Sequence, residues 1–114
     1  MSNQGFGNGV TSDEGTALGG FEVPGGYGYV KVFFKNKSRA PLKVVVTHYN
    51  TKKTYVTKTI PGGKTYAWLS NGNHPQGVRA GFYIVTFRGG GDGSRPVDAS
   101  YRGFTTDNIA DFGH

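Results

Sequence analysis

Residues 29–35, Tyr-Val-Lys-Val-Phe-Phe-Lys, alternate without a slip: Val30, Val32 and Phe34 fall on one side, Tyr29, Lys31, Phe33 and Lys35 on the other. A period of two sends successive side chains to opposite faces of an extended chain, so this stretch is a strand with one buried face. The pattern repeats after a turn at Asn36–Pro41, where Leu42, Val44, Val46 and His48 oppose Lys43, Val45, Thr47 and Tyr49. Two such runs joined by a short polar turn specify an antiparallel sheet packed on one side.

Outward from this pair the same signals continue. Asn50-Thr51-Lys52-Lys53 reads as a hairpin loop into a strand from Tyr55 to Ile60, which Pro61-Gly62-Gly63 ends. Lys64–Leu69 is a further strand with Tyr66 and Trp68 on the same face, followed by a long turn-rich loop from Ser70 to Gly81. Phe82–Arg88 alternates cleanly, Gly89–Pro96 is a glycine tract, and Val97–Phe104 is another strand. A strand around Leu18–Val23 brings the expected number to about seven. No window repeats apolar residues at spacings of three and four, so no helix is predicted. The predicted fold is all-β: a single immunoglobulin-like or jelly-roll-type β-sandwich over residues 21–104. It carries a Gly-rich acidic arm at 1–20 and a tail at 105–114.

Composition narrows the classes. One domain is expected of 114 residues, and the absence of Cys removes disulfides, thiolate metal sites and thiol nucleophiles together. No apolar run is long enough for a membrane-spanning helix, so membrane insertion is not expected. The opening MSNQGFGNGV lacks the charged and apolar regions of a signal peptide. The order of strand, Asn36-Lys37-Ser38, Pro41-Leu42, strand, Ile60-Pro61-Gly62-Gly63, strand, Gly81-Phe82-Tyr83, strand resembles immunoglobulin-like sandwich modules of bacterial and phage surface structures. That resemblance covers roughly residues 21–104; it implies a sandwich and transfers no site.

Charge is segregated along the chain. Tyr29–Arg88 holds eleven Lys and Arg and no acid, whereas all seven acids lie in the flanks, Asp13, Glu14 and Glu22 on one side and four Asp on the other. Such a distribution points to acidic ends that dock on a basic body. Chemistry-bearing clusters do not emerge: His48, His74 and His114 lack ligand spacing, and no carboxylate pair or nucleophile motif appears, so neither an enzyme nor a cofactor or metal is expected. Gly89-Gly90-Gly91-Asp92-Gly93 occurs once and reads as a loop, not a calcium repeat. Gly26-Tyr27-Gly28-Tyr29-Val30 resembles the stacking strand of an RNA-recognition motif but is preceded by Gly25 and lacks the closing aromatic at Val32.

The function expected first is that of a structural subunit, in a virion or a filament at a cell surface, that self-associates through its arm and sheet edges. Phe6, Val10, Leu18 or Phe21 would fill pockets on a neighbour while Asp13 and Glu14 meet its basic body. An arm folded back on its own sandwich is the alternative. A monomeric module for carbohydrate or another surface ligand comes second, with Tyr66, Trp68 and the loop bearing His74 and Arg79 as its site. Nucleic-acid binding through Lys43, Lys52, Lys53 and Lys58 ranks third and is not expected, because these lysines alternate or sit at a hairpin tip.

Overall fold

The computed structural model describes residues 3–72, 74–108 and 110. Eight strands account for most of them: β1 (Asn3–Ser12), β2 (Thr16–Val23), β3 (Tyr29–Asn36), β4 (Leu42–His48), β5 (Thr54–Ile60), β6 (Thr65–Leu69), β7 (Gly81–Gly89) and β8 (Val97–Thr106). They form two four-stranded antiparallel sheets, one in the order β1-β8-β3-β6 and the other β2-β7-β4-β5.

The pairings β1 with β8, β2 with β7, β3 with β6 and β4 with β5 describe one long hairpin whose tip lies between β4 and β5. Rolling that hairpin adds the contacts of β8 with β3 and of β7 with β4 and closes a jelly roll. Of the two sandwich types expected from sequence, the jelly roll is therefore the one formed, with eight strands in place of about seven.

The segment 1–20 takes the alternative arrangement, folded back on its own sandwich. Its described residues form β1 and most of β2, the edge strands of the two sheets on one side of this chain's own sandwich. The physical reason is that Phe6, Val10 and Phe21 point inward; Phe6 stacks on Phe21 at 4.6 Å and 5°, and Phe21 on Tyr83 at 5.2 Å and 5°. Likewise Thr105 and Thr106, placed in the tail, belong to β8 and are buried; His114 lies outside the described residues.

The core is filled from every strand by alternation, with Val30, Val32 and Phe34 of β3 facing Val44 and Val46 of β4 and Val85 and Phe87 of β7, all fully buried. One tyrosine ties the sheets together: the Tyr101 hydroxyl on β8 donates to the Gly20 carbonyl and accepts from the Gly20 N–H on β2, both at 2.9 Å. At one end of the sandwich, turns 13–15, 37–41, 61–64 and 90–96 gather and exchange backbone hydrogen bonds, among them Gly89 N to Gly15 O and Gly63 N to Ser38 O. Asn36 anchors this end, since its buried amide donates to the carbonyls of Ala40 and Ile60 and its Oδ1 accepts from Ser38. Asn36 is thus enclosed and fully bonded in the folded chain.

Candidate binding and assembly surfaces

At the opposite end, the loops 24–28, 49–53 and 70–80 meet. The long loop is not open. Ser70–Gly72 makes a 3₁₀ turn, the Val30 N–H donates to Ser70 Oγ at 2.9 Å, Val78 N–H donates to Gly28 O at 2.7 Å, and Val78 is buried. Beneath it the stacked rings of Phe6, Phe21 and Tyr83 continue to Tyr55 at 5.3 Å and on to His74, 4.9 Å from Tyr55. The Tyr83 hydroxyl donates to the Arg79 carbonyl, and burial, followed by the neighbouring Tyr55 hydroxyl, pushes its pKa well above the usual tyrosine range.

His48 is 2% exposed and is held by both ring nitrogens. Nδ1 accepts from the Thr51 N–H at 3.2 Å, which assigns the proton to Nε2, the donor to Ala80 O at 2.9 Å. Gly81 makes this approach feasible: its φ is +132°, and a Cβ there would stand 2.7 Å from His48 Nε2.

The structure scatters the residues expected to form a ligand surface. Trp68 is 5% exposed and belongs to the core, so it offers no platform to a sugar ring. Tyr66 is half-buried beside it, with Lys58 Nζ 5.1 Å above its ring at the open lip between the sheets. Lys52 and Lys53 lie over Tyr49 and Tyr55 at 4.4 and 4.9 Å, near His74 and Arg79. Lys43 stands apart on the outer face of the second sheet, between Arg88 and Thr59 in register. Among the arm residues, Phe6, Val10 and Phe21 pack inward, Leu18 is 65% exposed on the outer face of β2, and Asp13 and Glu14 are exposed on the β1–β2 turn.

Among the described residues, no group of three His, Asp or Glu is placed to hold an ion. Asp92, in the glycine tract, instead accepts the Ser94 N–H at 2.9 Å, and its bonds to Ser94 hold its carboxyl below the ordinary range.

Two surfaces that sequence reading passed over stand out. The first is the edge of β1, ten residues without a charge or a proline, whose Gly5, Gly7, Asn8 and Gly9 are exposed. Sheet edges are commonly guarded by lysine, proline or bulges. Such guards do occur across the sandwich, where Lys53 and Lys58 cap the β5 side and the β4–β5 register shifts at Val46/Thr47.

The second is the outer face of the first sheet. Register places Gly7, Arg102, Phe33 and Ala67 in one row across it, with Gly9, Ser100, Lys35 and Thr65 in the next and Gly5, Phe104, Lys31 and Leu69 on the other side. Because β1 contributes glycines to this face, a shallow groove of about 500 Å³ opens over Gly7, Phe33, Lys35, Ser100 and Arg102. The spacing Gly5-Phe6-Gly7-Asn8-Gly9-Val10 was the available signal, an alternation whose outward member is hydrogen.

No protein-family model matches the chain, and no curated protein matches it in sequence. In fold it is similar to a solved structure of Bacillus endospore appendages, described as a novel family of disulfide-linked pili. Identity is 10%, the TM-score 0.56, and the match covers 95% of this chain and 92% of that one. It is similar also to PirA, at 12% identity and a TM-score of 0.51 over 88% of this chain and 92% of the other. Likeness at such identities establishes the β-sandwich fold.

Proposed function

We propose that the chain is a non-enzymatic structural subunit that self-associates non-covalently through the free edge of β1, as in a surface filament. The observation behind this reading is the asymmetry of the two sides of the sandwich. The β5 edge is capped by lysines and bulged, whereas β1 offers a row of backbone donors and acceptors guarded by neither charge nor proline. An open edge of that length is a template for an added strand, and main-chain hydrogen bonds to a second chain would satisfy groups that otherwise depend on water. The likeness in fold to a pilus subunit supports the same reading.

The test follows from the space around the glycines. A Cβ on Gly9 would meet nothing within 4 Å and one on Gly5 only an ordinary contact at 3.8 Å, so Gly5→Lys with Gly9→Lys leaves the sandwich intact. Two lysines on an edge strand oppose pairing. Light scattering over a range of concentrations is expected to show wild type assembling and the double variant monomeric, with unchanged circular dichroism. A wild-type chain that stays monomeric, or a double variant that assembles equally, refutes the proposal.

A further inference from the structure

We infer that the groove on the outer face of the β1-β8-β3-β6 sheet receives the Ser12–Gly15 turn of a second copy, with Asp13 and Glu14 meeting Arg102 and Lys35. The inference rests on the self-association reading and adds to it a second contact, on the sheet face beside the β1 edge.

Three features lead there. The groove is cationic: Lys35 and Arg102 are exposed on its walls, Lys31 stands one row away, and its three rows hold no carboxylate, the nearest on this face being Asp98 one row beyond. Its floor is apolar and low, made by Phe33 and by Gly7, so a protruding backbone turn can approach it. The chain's own acids supply the matching shape. Asp13 and Glu14 are adjacent and exposed where the chain crosses between sheets, and they are held outward because Gly15 is buried at φ +84° with its carbonyl accepting the Gly89 N–H at 2.9 Å. The segregation of charge along the sequence thus becomes, in the fold, an acidic projection and a basic recess.

Turn and groove are different surfaces, so made head to tail their contact leaves a turn and a groove unfilled at the two ends and propagates from copy to copy unless the rotation closes a ring or a reciprocal pair. Charge steers such an encounter and fixes its register more than it adds affinity.

The experiment is a charge exchange, read as the critical concentration for assembly by light scattering. Asp13→Lys with Glu14→Lys, and separately Lys35→Glu with Arg102→Glu, are each expected to raise it by roughly tenfold or more, since both place like charges opposite one another. Combining all four substitutions restores attraction and is expected to return the value to within a few-fold of wild type. All four positions are exposed, and circular dichroism checks that each variant is folded. Failure of the four-fold variant to recover, or wild-type assembly by either one-sided variant, overturns the inference. So does a groove that binds a single-stranded oligonucleotide through Lys35 and Arg102 while Asp13→Lys/Glu14→Lys assembles normally. If Gly5→Lys/Gly9→Lys blocks assembly but the charge variants do not, the edge reading survives alone; the reverse result leaves only the groove.

Discussion

Replacing Phe6 by Ala tests whether β1 belongs to its own sandwich. The ring is half-buried, stacked on Phe21 at 4.6 Å and 6.4 Å from Tyr101. Truncating a fully buried Phe costs about 3–5 kcal/mol, and a half-buried ring in a stacked pair loses about 2–3 kcal/mol. For a domain of this size that corresponds to a fall in Tm of about 8–12 °C. The assay is thermal unfolding followed by fluorescence of the buried Trp68, in the Gly5→Lys/Gly9→Lys background so that assembly does not intervene. A strand docked within one chain gives a midpoint independent of concentration, whereas a strand borrowed from a neighbour gives one that rises with it. A loss within about 0.5 kcal/mol, as at an exposed site, or a midpoint that climbs over roughly a hundredfold range of concentration, would refute the intramolecular arrangement.

Two further outcomes follow from the end of the sandwich built around Tyr83. Gly81→Ala forces a side chain into φ +132° and onto His48 Nε2, so the urea midpoint is expected to fall by the equivalent of about 2–3 kcal/mol; an unchanged midpoint would mean that the His48–Ala80 link is dispensable. The Tyr83 pKa is raised in the fold, chiefly by burial, so the unfolded chain releases this proton first: the contribution is whole below about pH 10 and declines as pH rises beyond it. Tyr83→Phe is therefore expected to flatten the alkaline fall in the unfolding midpoint, and an identical slope in both proteins would refute this assignment.

The middle of the fold was legible because β3, β4 and β7 alternate with large apolar residues on the inner face, and their strands stand where the pattern put them. β1 was not, because its outward positions at Gly5, Gly7 and Gly9 carry no side chain and only Phe6 and Val10 mark its inner face. Choosing the jelly roll over the immunoglobulin-like alternative required knowing that β1 lies against β8, a contact between distant segments that local periodicity does not encode. The surfaces suffered for the same reason. Lys31 and Lys35 read as ordinary solvent-facing residues on one strand; they become part of a basic face only because β8 brings Arg102 alongside Phe33. Trp68, by contrast, alternates with exposed Ala67 and Leu69, and its burial follows from strand periodicity once β6 is paired with β3.

The nested pairing of strands also has a temporal side. Phe6 faces Gly103, so β1 has no partner until the ribosome has delivered β8, roughly 5–20 s after β1 itself at ordinary rates of synthesis. Over that interval β4 and β5 can already close, since their partners are neighbours in the chain, while the two aromatic-bearing strands at the start wait unpaired. During synthesis, pairing can therefore start at the hairpin tip and reach the seam between first and last strands only at the end, and a fold so dominated by distant contacts is expected to form slowly. The strand proposed to meet a neighbour is thus one whose own partner is synthesised last.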